Sequence, residues 1–390
     1  MTANGGITGS YTVVQTPTNG TEFRLLQSNT AIAVAVARTG GSLAGLATTR
    51  NQAAVAPAFA GLGIGNAAYG ALTLVPDDAV VRDAFDDLAG EVHATVRTTM
   101  LRGAQTGEDA TRTRLLEPGD ASGIWGQILG QRGSDDGDRN AARATRSGWG
   151  AFGGVDLALD GARLGVAGGY SRTDLSIATR GSTAEVETKQ VLGYAGGTLG
   201  PVAVRTAAGY AWTSADVTRG IAFPGFAAVA RSNYDGDVLH GFVEAGLPTA
   251  MFGGTVEPFA GIELYRVHTD GFAETNSAVA LTGRNASEVF TLTTLGMRGQ
   301  TPIAQGLSAR SRIGWQHALG DVTPRSLVRF AGGGQTFQVS GAPLSRDAAL
   351  VSLDLAWQPV ERLTITSGYS GSIGGASEDN RLRIMVSLGL

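Results

Sequence analysis

From Ser122 to Leu390 the chain repeats one pattern, an apolar side chain at every second position, in runs longer than ordinary strands. The last run is the cleanest. Leu382, Ile384, Val386, Leu388 and Leu390 share one face, against Arg381, Arg383, Ser387 and Gly389. A period of two is that of a strand with one apolar face. Twelve such runs are legible, at 122–133, 147–159, 162–177, 184–199, 202–218, 234–248, 254–272, 287–302, 307–319, 345–358, 362–374 and 379–390. Many hold about 9–13 residues, where a common strand has about 5–6 and a tilted membrane-crossing strand needs about 9–11.

The second face is small or charged: Asp156, Arg163, Glu187, Lys189, Arg205, Glu257, Glu263, Arg310, Arg312, Asp354 and Arg383. A soluble sandwich can also turn polar residues to water, but the apolar faces are too many for one sandwich core. The fold class that fits is all-β, a 12-stranded antiparallel transmembrane barrel with an apolar exterior and a polar lumen. Trp149, Tyr170, Tyr194, Tyr210, Trp212, Trp315, Trp357 and Tyr369 are candidates for its interfacial girdles. A further strand-like piece, 326–341, would break the even strand number, so it is assigned to a structured loop. Long connections near 134–146, 177–185, 218–233 and 272–287 then fall at one end, and short turns at the other. A lipid-face charge, Leu388→Arg, is expected to impair assembly.

Composition narrows the alternatives. Of 390 residues 58 are Gly, there is no Cys, and the net charge is −4. Disulfides, thiolate metal sites and a thiol nucleophile are excluded, and nucleic acid is not the expected partner. No apolar run of helix-spanning length occurs, and the start "MTANGGITGS" has no signal-peptide pattern. The chain is therefore read either as cytoplasmic or as a piece of a longer precursor.

Before the strands lie a β-rich segment (1–48), an Ala-rich helical linker (49–76), and a segment (77–121) read as one helix over 77–103 and a polar linker over 103–121. In the helix, Val81, Phe85, Leu88, Val92, Val96 and Met100 form a stripe. Acids crowd the first half, and Arg97 and Arg102 the second, an order that suits the helix dipole. The length is roughly 39 Å. On these residues alone, a surface helix of a soluble domain remains open.

The segment "AFDDLAGEVHATVRTTMLR" resembles the one that precedes the barrel in monomeric autotransporters, through Ala84, Asp86, Leu88, Gly90, Glu91, His93 and Ala94. "IWGQILG", "SGWGAFGGVDLAL", "RLGVAGGYSRTDLSI" and "FQVSGAPLSRDAALVSL" are similar to strands and a late loop of that barrel, so the resemblance covers about 50–390. It implies a translocator in the bacterial outer membrane that exports and anchors an N-terminal passenger at the cell surface. Residues 1–48 would be the passenger's end. Its partners would be outer-membrane lipid, the barrel-assembly machinery and its own passenger, and the barrel would be a monomer. The resemblance also implies a helix through the lumen, carrying Asp83, Asp86, Asp87, Leu88, Gly90, Glu91 and Arg97. Charge sign alone then suggests that its acids meet Arg163, Arg205, Arg310, Arg312 and Arg383. Two departures stand out. The final residue is Leu390 where the family usually ends in an aromatic, and the helix lacks the Asn pair at which some members cut themselves.

No catalytic, metal or cofactor site is read. His93, His240, His268 and His317 share no ligand spacing, and "GLGIGN" lacks the strand–helix setting of a dinucleotide loop. The chain is therefore not expected to be an enzyme. A porin-like channel and a soluble β-rich adhesin or carbohydrate-binding module are the competing readings.

Overall fold

The computed structural model describes residues 6–12, 20–117, 122–251 and 253–390. The strand read at 10–16 and the turn after it lie largely outside these residues, as does 118–121 of the expected linker. The barrel has twelve strands: Gly123–Asp135, Ala144–Leu159, Ala162–Ile177, Ser182–Leu199, Val202–Phe223, Phe226–Gly246, Gly254–Thr269, Ala286–Ala304, Leu307–Leu319, Asp347–Val360, Leu363–Gly374 and Ser377–Gly389. Each pairs antiparallel with the next, and the twelfth closes on the first, from Gly389↔Gly123 to Ser377↔Asp135. Closure leaves no free edge along the membrane-length part of the barrel, a requirement in lipid.

The two faces separate as the alternation predicts. Leu382, Ile384, Val386 and Leu388 point outward, as do Val155, Leu157, Val166, Ile313 and Leu353. Trp149, Trp212, Trp315 and Trp357 are also exposed. Trp357 pairs with Leu307, and Trp315 stands eight residues beyond Leu307 on the ninth strand. That is about 26 Å along the strand, or about 20 Å of height at the usual tilt of about 40°, within the span of an outer-membrane apolar band. Tyr194 does not join a girdle. It is buried in the lumen, where its hydroxyl accepts from Trp125 Nε1 at 2.7 Å and donates to Asp156 at 2.9 Å.

Glycine makes room for such inward rings. A side chain at Gly154 would meet the Trp125 indole, and one at Gly165 or Gly169 would meet Tyr194 or Phe152. This accounts for part of the glycine content.

The fourth, fifth and sixth strands run to 18, 22 and 21 residues and rise past the belt. Glu187 and Lys189, expected in the lumen, therefore face outward beside Glu185, while Val186 and Thr188 take the inner face. The expected loop at 218–233 is a continuation of this hairpin, turning at Pro224 and Gly225. The one near 177–185 is a tight turn, Ala178–Arg180 with Gly181 left-handed. Alternation persists in both places, so strand pairing continues beyond the membrane-length segment.

The other long connections form a lid at the same end, here called the loop mouth. Phe272–Ala273, Leu281–Gly283, Arg325–Phe330 and Phe337–Ser340 make a four-stranded sheet. The 326–341 piece is thus a structured loop, as assigned. The N-terminal part adds a hairpin (Thr21–Gln27 with Ile32–Arg38) and helices α1 (Gly40–Ala44), α2 (Arg50–Ala60), α3 (Ala67–Leu72) and α4 (Asp78–Ala89). Thr49 and Gln52 form a capping box on α2, and Asn66 and Asp77 cap α3 and α4. Val55, Phe59, Val81, Phe85 and Leu88 pack under this cap with Ile221, Phe330 and Val339 in one apolar core.

Candidate functional site

The helix expected over 77–103 is two helices. Gly90, at φ 71, ends α4 in the left-handed conformation, which favours Gly. α5 then runs Val92–Leu115, about 36 Å, along the barrel lumen. The expected linker over 103–121 is therefore helical to Leu115. It was missed because it has no apolar stripe. Inside a polar lumen a helix needs none; nearly every α5 residue is buried, whichever way it faces.

α5 leans on one wall. Side chains at Gly103 and Gly107 would collide with Thr188 and Gln190 of the fourth strand, and Gln190 donates to the Gly103 carbonyl at 3.0 Å. A helical Gly costs about 1 kcal/mol relative to Ala; here it permits backbone-to-wall contact.

The half of α5 nearer the loop mouth is mainly apolar, with Val92, Val96, Met100, Leu101 and Ala104 continuing the cap's core. Its polar groups are matched individually. His93 Nε2 lies 2.9 Å from Glu274, which also holds Arg219 at 2.6 Å. Burial would raise the Glu274 carboxyl, but the Arg219 guanidinium holds it far below the usual range. Arg97 pairs with Glu288 at 3.2 Å.

The other half is ionic. Arg112 reaches Glu263 at 2.8 Å, Arg102 reaches Asp379 at 3.1 Å, and Asp109 pairs with Arg381. Glu108 lies 2.8 Å from His240 and accepts from the Tyr265 hydroxyl at 2.6 Å. Near the terminal mouth Arg114 binds Asp156 through two nitrogens, at 2.7 and 2.8 Å. Asp156 also accepts from Arg163 at 2.8 Å. Bidentate guanidinium–carboxylate geometry is the strong form of such pairs.

The expected pairing of helix acids with wall arginines is thus largely reversed. Arg97, Arg102, Arg112 and Arg114 come from the helix, and the wall supplies most of the acids. Asp83 is exposed on α4. Asp86 and Glu91 meet Arg180 at the loop mouth, at 3.2 and 3.1 Å. Asp87 lies beside Ala222 of the protruding hairpin, and its carbonyl accepts from Arg219. Leu88 is in the apolar core, Gly90 forms the break, and Arg97 alone of that set is in the lumen proper. Charge sign alone put the acids of α4 in the lumen, whereas α4 caps the barrel.

The lumen residues do face inward, but mostly pair among themselves. Arg205 binds Glu257 at 2.7 Å, Arg383 binds Asp354 at 2.5 Å, and Arg163 shares Asp156. Arg310 donates to Thr366, and Arg312 lies over the Phe259 ring. Glu108, Asp109, Arg112 and Arg114 were overlooked; four charges within about two turns of helix were the signal.

At the loop mouth, Glu91 accepts from Ala142 N at 3.0 Å and from Arg180. Burial nonetheless pushes its carboxyl up to about 7, with Arg180 opposing. Burial likewise takes Asp87 to about 6. Leu390 follows the last strand, and its N–H bonds the Ser122 carbonyl at 2.8 Å.

A closed twelve-stranded barrel with a lipid-compatible exterior and a helix running through its lumen defines a plugged transmembrane barrel. Residues 124–370 match the autotransporter β-domain model, and the chain belongs to that family. The fold is that of the translocator domain of the autotransporter NalP from Neisseria meningitidis, with TM-score 0.63 at 13% identity, covering 76% of this chain and 98% of that one. It is also similar to the transport unit of the autotransporter AIDA-I from Escherichia coli, with TM-score 0.52 at 16% identity, covering 71% and 92%. An extracellular serine protease of Serratia marcescens is 26% identical over 314 residues, which are 77% of this chain and 30% of that protein. The chain thus spans under a third of the length of that relative. The barrel is an outer-membrane translocator domain, serving export and anchoring of an N-terminal passenger. This fits better than the porin and soluble-module readings.

Proposed function

We propose that the loop mouth faces the cell exterior and the terminal mouth the periplasm, with the passenger reaching outward from the hairpin at Thr21–Arg38. After export, α5 stays in the lumen as a plug and an anchor. The observation that carries this is the Arg114–Asp156 clamp beside the terminal mouth. It holds the foot of the helix a few residues before the first strand, so tension on the passenger meets a buried bidentate pair. The absence of Asn from α5 favours a passenger that remains attached. Assembly by the barrel machinery, with Ile384, Val386 and Leu388 on the last strand's lipid face, and a monomeric state complete the proposal. We also propose that this chain performs no catalysis. The protease name of its relative describes a much longer protein. Here His93 and His240 are buried partners of Glu274 and Glu108.

Single-channel conductance tests the plug. Removing residues 1–89 should leave conductance low, because α5 remains. Removing 1–115 should open a large, steady pore. Equal conductance of the two forms would refute the plug.

A further inference from the structure

Beside α5, on the side away from the fourth-strand wall it leans on, lies a cavity of about 360 Å³. It is walled mainly by the seventh to twelfth strands, and its lining holds eight arginines and six carboxylates. Ion pairs engage six of those arginines, for example Arg112, Arg205, Arg298 and Arg383. Arg310 and Arg312, two residues apart on the lumen face of the ninth strand, have no such pair among the described residues. Arg310 is 7% exposed, yet its Nε and Nη1 have no hydrogen-bond partner among the described residues. The same holds for Arg312 Nε, and for Nε and Nη1 of Arg298.

The placement is also unfavourable in itself. Arg298 and Arg312 are directly opposite across the eighth and ninth strands, where like charges repel. Both guanidinium groups stack on one ring, Phe259, at 4.1 and 5.0 Å from its centroid. That ring in turn fits where a side chain at Gly296 would stand. The fold thus holds two like charges flat on a shared platform, with donors unused, beside a third arginine of the same kind.

We propose that this wall binds a water-soluble phosphate-type oxyanion. Planar guanidinium forks match tetrahedral oxyanions in a way that a spherical halide cannot use. The two arginines without an ion-pair partner, Arg310 and Arg312, suit a phosphate or a small phosphomonoester. The barrel separates the cavity from lipid, so the ligand is a solute and not a headgroup. Gln105, Arg112 and Thr113 of α5 also line the cavity, so an anion here ties the helix to the ninth strand, to which no ion pair of α5 runs among the described residues. This goes beyond the plug reading, and binding itself does not depend on conductance.

The test is titration calorimetry of the full chain, folded in detergent, with inorganic phosphate at constant ionic strength set by chloride. One phosphate per chain is expected, together with a higher melting temperature. The double variant Arg310→Gln, Arg312→Gln should bind about tenfold more weakly or worse, given the usual strength of hydrogen bonds to charged groups. Arg312→Lys keeps the charge, loses the fork, and should also weaken binding while heat-modifiable migration shows an intact barrel. Phosphate binding that chloride matches, or that survives in Arg312→Lys, would overturn the proposal. A low conductance with no phosphate binding would sink this inference and leave the plug standing.

Discussion

The two halves of α5 are held by different physics. Near the loop mouth Val96, Met100 and Leu101 extend an apolar core shared with the cap. Near the terminal mouth Arg112 and Arg114 sit among carboxylates. Apolar contacts are non-directional and seal wherever shapes fit. Buried ion pairs reward one registry and penalise others, because an unpaired buried charge is costly. The ionic half therefore sets how deep the helix sits, and the apolar half closes the mouth above it.

The largest expected effect breaks the ionic half. Arg114→Met should destabilise the folded barrel by about 3–5 kcal/mol, because buried Glu117 loses its ion-pair partner while Asp156 keeps only Arg163 as a cation. Adding Glu117→Gln should restore much of that loss. Met100→Ala, in the apolar half, should cost about 2–5 kcal/mol as a cavity, and no charge change should rescue it. Urea-unfolding midpoints of the four proteins decide. A loss in Arg114→Met that Glu117→Gln does not repair would show that the buried charges at the helix foot do not set registry.

Next in size is a contrast of depth on the lipid face. Leu388 faces outward as expected, but it pairs with Ile124 and Leu363 at the strand's end, not at the bilayer centre. Ile384, opposite Ile128, lies at mid-strand. Ile384→Arg should therefore cost about 2–4 kcal/mol and Leu388→Arg about 0–1 kcal/mol. Heat-modifiable migration and folding yield in lipid vesicles measure both. Equal penalties would mean that the membrane sits elsewhere on the barrel than the tryptophan belt suggests.

Much of this was legible because period two is a local signal. The twelve strands, most of their faces, the lumen charges other than Glu187 and Lys189, and the structured loop at 326–341 all follow from alternation. What failed were matters that only the assembled barrel decides. Residues 103–115 lack a stripe because their environment is polar on every side. Gly90 looked like one family match among several, yet it separates cap from plug. The arginines of α5 and the acids of the wall could not be matched without registry, since charge sign fits either arrangement. Tyr194 alternates correctly but points inward, into space left by Gly165.

The smallest expected effect probes the junction of the two halves. Glu91 lies between α4 and α5, and its carboxyl is raised to about 7, first by burial and only partly offset by Arg180. A carboxyl whose folded pKa lies above its unfolded value binds more protons when folded. Its contribution is therefore greatest at low pH and is lost as pH rises through the folded value. Between pH 6 and 8 the loss should be about 1 kcal/mol, and Asp87, raised to about 6, acts in the same direction at the lower end. Amide exchange in α4 should quicken over this window, while exchange in the ionic half of α5 stays level. Glu91→Gln should flatten the dependence near pH 7. A pH response that persists unchanged in Glu91→Gln would move the sensitivity to another group and sever the link between the cap's docking and this junction.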